Sequence, residues 1–157
     1  MNDRRRTRWF AVPLVVAFLG YALGKAYYAS QGRLGFPGGP DVPPEAYERP
    51  VSAVLGVAAE QWLAAATGIF GALLILAAVT EAGRRLPRPL MLFLLAGALI
   101  GVGAAAVAMV GGAFLGAGPE WEWYHGLLGV AALVLMVATT ASYVRSVGLW
   151  PFTSETM

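Results

Sequence analysis

The 157-residue sequence contains no cysteine and only one histidine, His125. Without cysteine, the chain cannot form disulfides, thiolate zinc sites or iron–sulfur clusters. A single histidine cannot supply both axial ligands of a bis-histidine haem within one chain. Thiol redox chemistry and these metal centres are therefore excluded, and we predict that the protein has no cofactor and no bound metal.

Charge is also scarce, because only 13% of the residues are charged while 58% are hydrophobic. Soluble domains typically contain about 25% charged and about 45–50% apolar residues. The mean hydropathy of the chain is +0.64. Too few charges are present to cover a water-facing surface, which argues against a soluble globular domain and indicates an integral membrane protein.

Four apolar segments are long enough to cross a hydrocarbon core of about 30 Å, which takes about 20 helical residues. They cover about 9–28, 51–81, 89–116 and 123–144. Because lipid offers the backbone no hydrogen-bond partners, each segment is predicted to be a helix. We therefore predict an all-α, polytopic membrane protein whose four transmembrane helices form one bundle domain over residues 1–157.

Basic residues are distributed unevenly between the two ends of this bundle. Eight lie in the N-terminal arm, the 82–88 turn and the C-terminal end, and three lie in the other two loops. By the positive-inside rule, both termini are predicted to face the cytoplasm and residues 29–50 and 117–122 to face outside. One lysine against ten arginines is typical of a GC-rich bacterial genome. We therefore predict a multi-pass protein of the bacterial cytoplasmic (inner) membrane.

The first apolar segment has a second interpretation. Its arginine-rich start, its apolar run and the small-x-small sequence at Gly24-Lys25-Ala26 are also found in cleaved signal peptides. We favour a retained helix, because the apolar run is long and bulky tyrosines follow it. The first loop is outside the membrane on the same side in either case.

The outer loop, residues 29–50, is the longest segment outside the membrane. Glycine and proline dominate it from residue 31 onwards, so a regular helix or strand is not expected there. Two interpretations remain open: an ordered cap over the mouth of the bundle, which we favour, and a loop that binds a ligand or partner.

Small residues recur at four-residue spacing and allow helix backbones to approach closely in lipid. The pairs are Gly20 with Gly24, Gly97 with Gly101, and Gly112 with Gly116. They predict that the third transmembrane helix is central. They also make a protein partner or a homo-oligomer possible through small-residue helix faces, in addition to membrane lipids. No aromatic residues alternate with the arginines, so nucleic-acid binding is not predicted.

Ionisable side chains are missing from the middle of all four predicted helices, which disfavours proton relays and ion-coupled transport. Four such groups gather instead at the outer boundary: Lys25, Glu60, Glu122 and His125. We predict that they bind a ligand or partner. For Lys25 and Glu60 two interpretations remain open: an ion pair at the mouth of the bundle, and independent access of each group to water at the interface, which we favour.

Glu122 and His125 share one helix face through their i, i+3 spacing, which is the spacing of di-iron carboxylate bundles. Such sites need two of these motifs, and the chain has one. A single-metal site from Glu60, Glu122 and His125 is an alternative to the prediction of no metal. A further hypothesis makes Glu60 and His125 the catalytic acid and base.

Two resemblances support the four-helix fold. The segment 25–37, with its aromatic pair and Gly32-x-x-Gly35, resembles a family of small bacterial membrane proteins of unknown function. Lys25, Glu60 and Arg84 also occupy places similar to those of a lysine, a glutamate and an arginine turn in the DoxX-like membrane proteins. Neither resemblance implies a defined activity.

The function predicted from these features is a small inner-membrane accessory or binding subunit that presents its outer loop and polar cluster. This prediction favours a non-enzymatic role. The first alternative is a membrane enzyme that performs acid–base chemistry on a lipid-like or isoprenoid substrate. The second is a transporter component, which predicts a continuous polar path between Thr67, Thr139, Thr140 and Ser142.

Overall fold

The computed structural model describes residues 3–39, 54–117 and 121–148. Within these ranges the chain is helical and has no strand. The helices are α1 (Asp3–Ser30), α2 (Val57–Val79), α3 (Glu81–Arg84), α4 (Arg88–Leu115) and α5 (Trp123–Ser146). All of them except the short α3 are long and apolar enough to cross a membrane. The predicted all-α fold with four transmembrane helices is confirmed.

The second span is shorter than predicted at both of its ends. It was expected from residue 51, but α2 begins at Val57, because Gly56 has a φ of +77° and interrupts the helix. Residues 40–53 lie outside the described residues. They comprise positions 40–50 of the predicted outer loop and positions 51–53 of the predicted second span. At its other end, α2 stops before Thr80, whose backbone is extended.

The spans pack as two antiparallel pairs, α1 with α2 and α4 with α5. Helix α5 also contacts α1 and α2, whereas α4 makes only a small contact with α2. The expectation that α4 is the central helix is therefore wrong, and α5 joins the two pairs. Gly97 and Gly101 of α4 do not face a neighbouring helix closely, since a Cβ at either position would have no atom within 4 Å.

Other glycines make the close contacts between helices. A Cβ at Gly68 of α2 would lie 3.0 Å from the Cβ of Ala22 in α1. A Cβ at Gly129 of α5 would lie 3.1 Å from the Cα of Ala106 in α4. Glycine at these two positions lets each pair of backbones approach closely in lipid.

The two ends of the bundle differ in what they bury. We call the end where α1 begins and α2 and α5 finish the arginine end, and the opposite end the cap end. Near the arginine end all four spans contribute to one apolar core. Its buried members are Ala11, Leu14, Leu74, Ile75, Met91, Leu95, Met136 and Tyr143. The buried residues at the cap end include polar side chains, which form the candidate site.

A buried polar cluster at the cap end

Three polar side chains are buried where α1 ends and α2 and α5 begin. Lys25 is 4% exposed, Gln61 is 1% exposed and His125 is 6% exposed. Another polar residue, Thr139, is equally buried but lies further along α5, where its hydroxyl donates to the Leu135 carbonyl at 2.8 Å. Buried polarity in the described part of the chain is thus concentrated at the cap end.

A short segment after α1, residues 34–39, covers this cluster, and we call it the strap. The chain reverses at Gly32, which has a φ of +63° and donates its backbone N–H to the Ala29 carbonyl. A positive φ of this kind is strained for residues with a side chain, so glycine suits the helix end. The strap then begins with two buried residues, Leu34 and Gly35.

Lys25 connects α1 to the strap. Its Nζ donates a hydrogen bond of 2.7 Å to the Gly35 carbonyl. The same Nζ lies 4.4 Å from the centroid of the Phe36 ring, within the range of a cation–π interaction. The ammonium therefore contacts two consecutive residues of the strap.

Glycines allow the strap to sit directly on the helices. A Cβ at Gly24 would overlap the Pro37 side chain, and a Cβ at Gly35 would overlap the Tyr28 ring. A Cβ at Gly39 would lie 2.7 Å from the Trp121 ring. For residues 31–39, this packing agrees with the interpretation of the outer loop as an ordered cap.

Aromatic rings continue the contacts from the strap to α5. The Phe36 ring lies 5.1 Å from the Trp121 ring, edge to face, and Trp121 lies 5.1 Å from the imidazole of His125 in the same type of arrangement. The Tyr124 ring lies 4.2 Å from the imidazole. Lys25 and His125 are therefore the two ends of one chain of ring contacts beneath and along the strap.

Two buried atoms of the cluster have no hydrogen-bond partner among the described residues. They are Oε1 of Gln61 and Nδ1 of His125. A buried polar atom without a partner costs about 1–3 kcal/mol, so most such atoms in proteins are satisfied. These two atoms thus need a hydrogen-bond partner that the described residues do not supply.

The helix register puts Gln61 at the same level as the end of α1. Gly68 of α2 faces Ala22 of α1, and the two helices are antiparallel. Gln61 lies two turns from Gly68 towards the cap end, and Ala29 lies two turns from Ala22 in the same direction. Gln61 and Ala29 are both buried, which is consistent with this pairing.

The four residues predicted to form the site have different environments. Lys25 and His125 belong to the buried cluster, whereas Glu60 is half-buried in the first turn of α2. Glu122 is exposed, and its side chain makes no capping hydrogen bond; only its carbonyl accepts the N–H of His125, at 2.9 Å. The Lys25–Glu60 ion pair stays a hypothesis.

The described residues give no support to two of the alternative hypotheses, the single-metal site and the polar transport path. No three His, Cys, Asp or Glu side chains within them could hold a metal ion together. Thr67, which a polar transport path would require, is exposed, and its hydroxyl donates to the Ala64 carbonyl.

Sequence reasoning missed Gln61, Phe36 and Trp121. A signal for Gln61 was present, because it shares a helical spacing with buried positions of α2. The buried residues of α2 are Gln61, Ala65, Gly68, Gly71, Ala72, Leu74 and Ile75. The charged neighbour, Glu60, was predicted as the site residue instead.

Comparisons of the chain with protein families, with curated proteins and with solved structures find no match. The resemblances to small bacterial membrane proteins and to DoxX-like proteins therefore stay predictions.

Proposed function

We propose that this protein is a non-enzymatic binding subunit of the bacterial inner membrane, and that its cap end receives the polar head of a membrane amphiphile. The observation that carries the proposal is the pair of buried atoms, Gln61 Oε1 and His125 Nδ1, that lack a partner in the described chain. They lie at the same end of the bundle as the buried ammonium of Lys25.

The chemistry of these atoms favours a hydroxyl-bearing head group. A carboxamide oxygen only accepts hydrogen bonds, so the group that meets Gln61 Oε1 must be a donor. A neutral imidazole nitrogen either donates or accepts, depending on the tautomer. A hydroxyl both donates and accepts, and it therefore suits Gln61 and either tautomer of His125.

The position of the cluster favours an amphiphile over a fully water-soluble ligand. Gln61 and His125 lie in the first two turns of their spans, and Lys25 lies just over one turn before the end of α1. This depth corresponds to the boundary between hydrocarbon and head groups. An amphiphile can place its head there while its tails stay in the lipid.

The proposed orientation directs the cap end away from the cytoplasm. Its support is the distribution of arginines, since Arg85, Arg88 and Arg145 are exposed near the arginine end and the N-terminal arm carries four more. Under the positive-inside rule this end is cytoplasmic, together with both termini.

Native mass spectrometry of protein gently extracted from its own membrane tests the proposal. The wild type is expected to carry a bound amphiphile. The double variant Gln61→Leu/His125→Phe is expected to lose at least about nine-tenths of it, because two buried hydrogen bonds are lost. The matched control is Thr139→Val, which removes an equally buried polar group whose hydrogen bond is made within its own helix.

The control is expected to keep the bound mass. A wild type without any bound molecule would contradict the proposal, and so would a double variant that binds as much as the wild type.

A further inference from the structure

We infer that the strap, residues 34–39, is a lid over the polar cluster and that Lys25 is its latch. The inference rests on the proposed function, because it concerns access to the same site. None of Lys25, Gln61 and His125 is more than 6% exposed. A head group cannot reach them while the strap keeps its present position.

The strap covers the cluster by direct contact at several points. The Gly35 carbonyl accepts the hydrogen bond of Lys25 Nζ, and the Phe36 ring lies over the same atom. At the far side of the cluster, a Cβ at Gly38 would lie 3.8 Å from Nε2 of His125. Opening the site therefore requires residues 35–38 to move away from both α1 and α5.

The start of the strap is suited to such a movement. Gly32 precedes it, and a Cβ built there would have no atom within 4 Å. Glycine is also the residue with the fewest restrictions on its backbone angles. The strap is consequently held on one side by Lys25 and preceded by a residue whose backbone angles can change more easily than those of other residues.

Lys25 couples the latch to the ligand. An ammonium has three donors and no acceptor. When the strap leaves, the hydrogen bond now made to the Gly35 carbonyl can be made to an oxygen of the head group instead. A head-group oxygen can thus replace the strap carbonyl as a partner of Lys25, so ligand binding offsets the loss of the contact that holds the strap.

The absence of cysteine allows a clean accessibility experiment. A His125→Cys variant contains a single thiol beneath the strap, and its rate of reaction with a water-soluble maleimide in detergent reports the opening of the lid. Two further substitutions act on the strap. Lys25→Met removes the latch donor at nearly constant length, and Gly24→Ala introduces a Cβ that overlaps Pro37.

Both substitutions are expected to accelerate labelling of Cys at position 125 by about tenfold. Lys25→Met does so because it removes one hydrogen bond to a charged group, and Gly24→Ala because its Cβ displaces Pro37 from the helix. The matched control is Gly20→Ala, one turn earlier in α1, where a Cβ meets no atom within 4 Å. Its labelling rate is expected to equal that of His125→Cys alone.

Equal rates in all four proteins would overturn the lid. A second reporter separates opening from unfolding: a Met136→Cys thiol, buried in the apolar core, must stay unreactive when combined with Gly24→Ala. If that thiol also becomes reactive, local opening of the strap is refuted. Labelling needs no ligand, so the two proposals can fail separately. If labelling shows that the lid opens but native mass spectrometry finds no bound amphiphile, only the proposed function is contradicted.

Discussion

Replacing Lys25 with glutamate is expected to lower the free energy of unfolding by about 3–5 kcal/mol, the range for an uncompensated buried charge. The carboxylate would face the Gly35 carbonyl, to which Nζ now donates at 2.7 Å, and the electron-rich face of the Phe36 ring. Both contacts change from attraction to repulsion at a position that is only 4% exposed.

Equilibrium unfolding in detergent, followed by circular dichroism, measures this loss. Arg33→Glu is the matched control, because it makes the same change of charge at an exposed residue just beyond α1. Exposed charges are screened by water, so the control should unfold close to the wild type. If Lys25→Glu is as stable as Arg33→Glu, the lysine does not hold the strap as the geometry indicates.

Ile75→Ala is expected to lower the free energy of unfolding by about 2–5 kcal/mol, as in other buried aliphatic truncations. Ile75 is fully buried in the core near the arginine end, to which all four spans contribute. Removing its side-chain carbons leaves a cavity that the surrounding side chains fill only in part.

The same helix provides the control, since Ile69 is 50% exposed. Lipid can occupy the space that Ile69→Ala creates, and burial in lipid resembles burial in protein for an apolar group. The two variants are compared by the same unfolding experiment. Equal effects for Ile69→Ala and Ile75→Ala would mean that the apolar core does not stabilise the bundle.

The fold followed from sequence because long apolar runs have only one good structure in a membrane. Without water, each backbone N–H and C=O needs a partner within its own segment, which makes helices of the required length. Helix α2 begins after Gly56, which has a positive φ. In a glycine-rich chain, the sequence does not show which glycine adopts such a backbone angle.

Helix packing was less predictable. Four-residue glycine spacing singled out Gly97 and Gly101, yet neither faces another part of the described chain within 4 Å. Gly68 and Gly129, which do make close contacts, belong to no pair identified by that spacing. Spacing indicates where backbones are able to approach, but the order in which helices neighbour each other decides where they do.

The candidate site was anticipated in part. Lys25 and His125 were identified because charged and titratable groups stand out in apolar sequence, and both are in the cluster. Glu122 was identified by its helical spacing from His125 but is exposed. Gln61 and Phe36 depend on the fold of the strap and on the register of α2, which hydropathy does not report.

Binding of an outside group at the cap end can be measured directly at His125, because it is the only histidine of the sequence. Protein with nitrogen-15 histidine and a histidine-free affinity tag gives an imidazole spectrum from this one residue. Its Nδ1 shift reports the hydrogen bond at that atom and is measured by solid-state NMR in native membranes, after reconstitution in synthetic phosphatidylcholine, and after native lipid extract is added back.

We predict that the Nδ1 shift changes when the native lipids are removed and returns when they are restored. A shift that stays the same in all three samples would contradict the proposed function, because the hydrogen bond of His125 would then be made within the protein or by water alone.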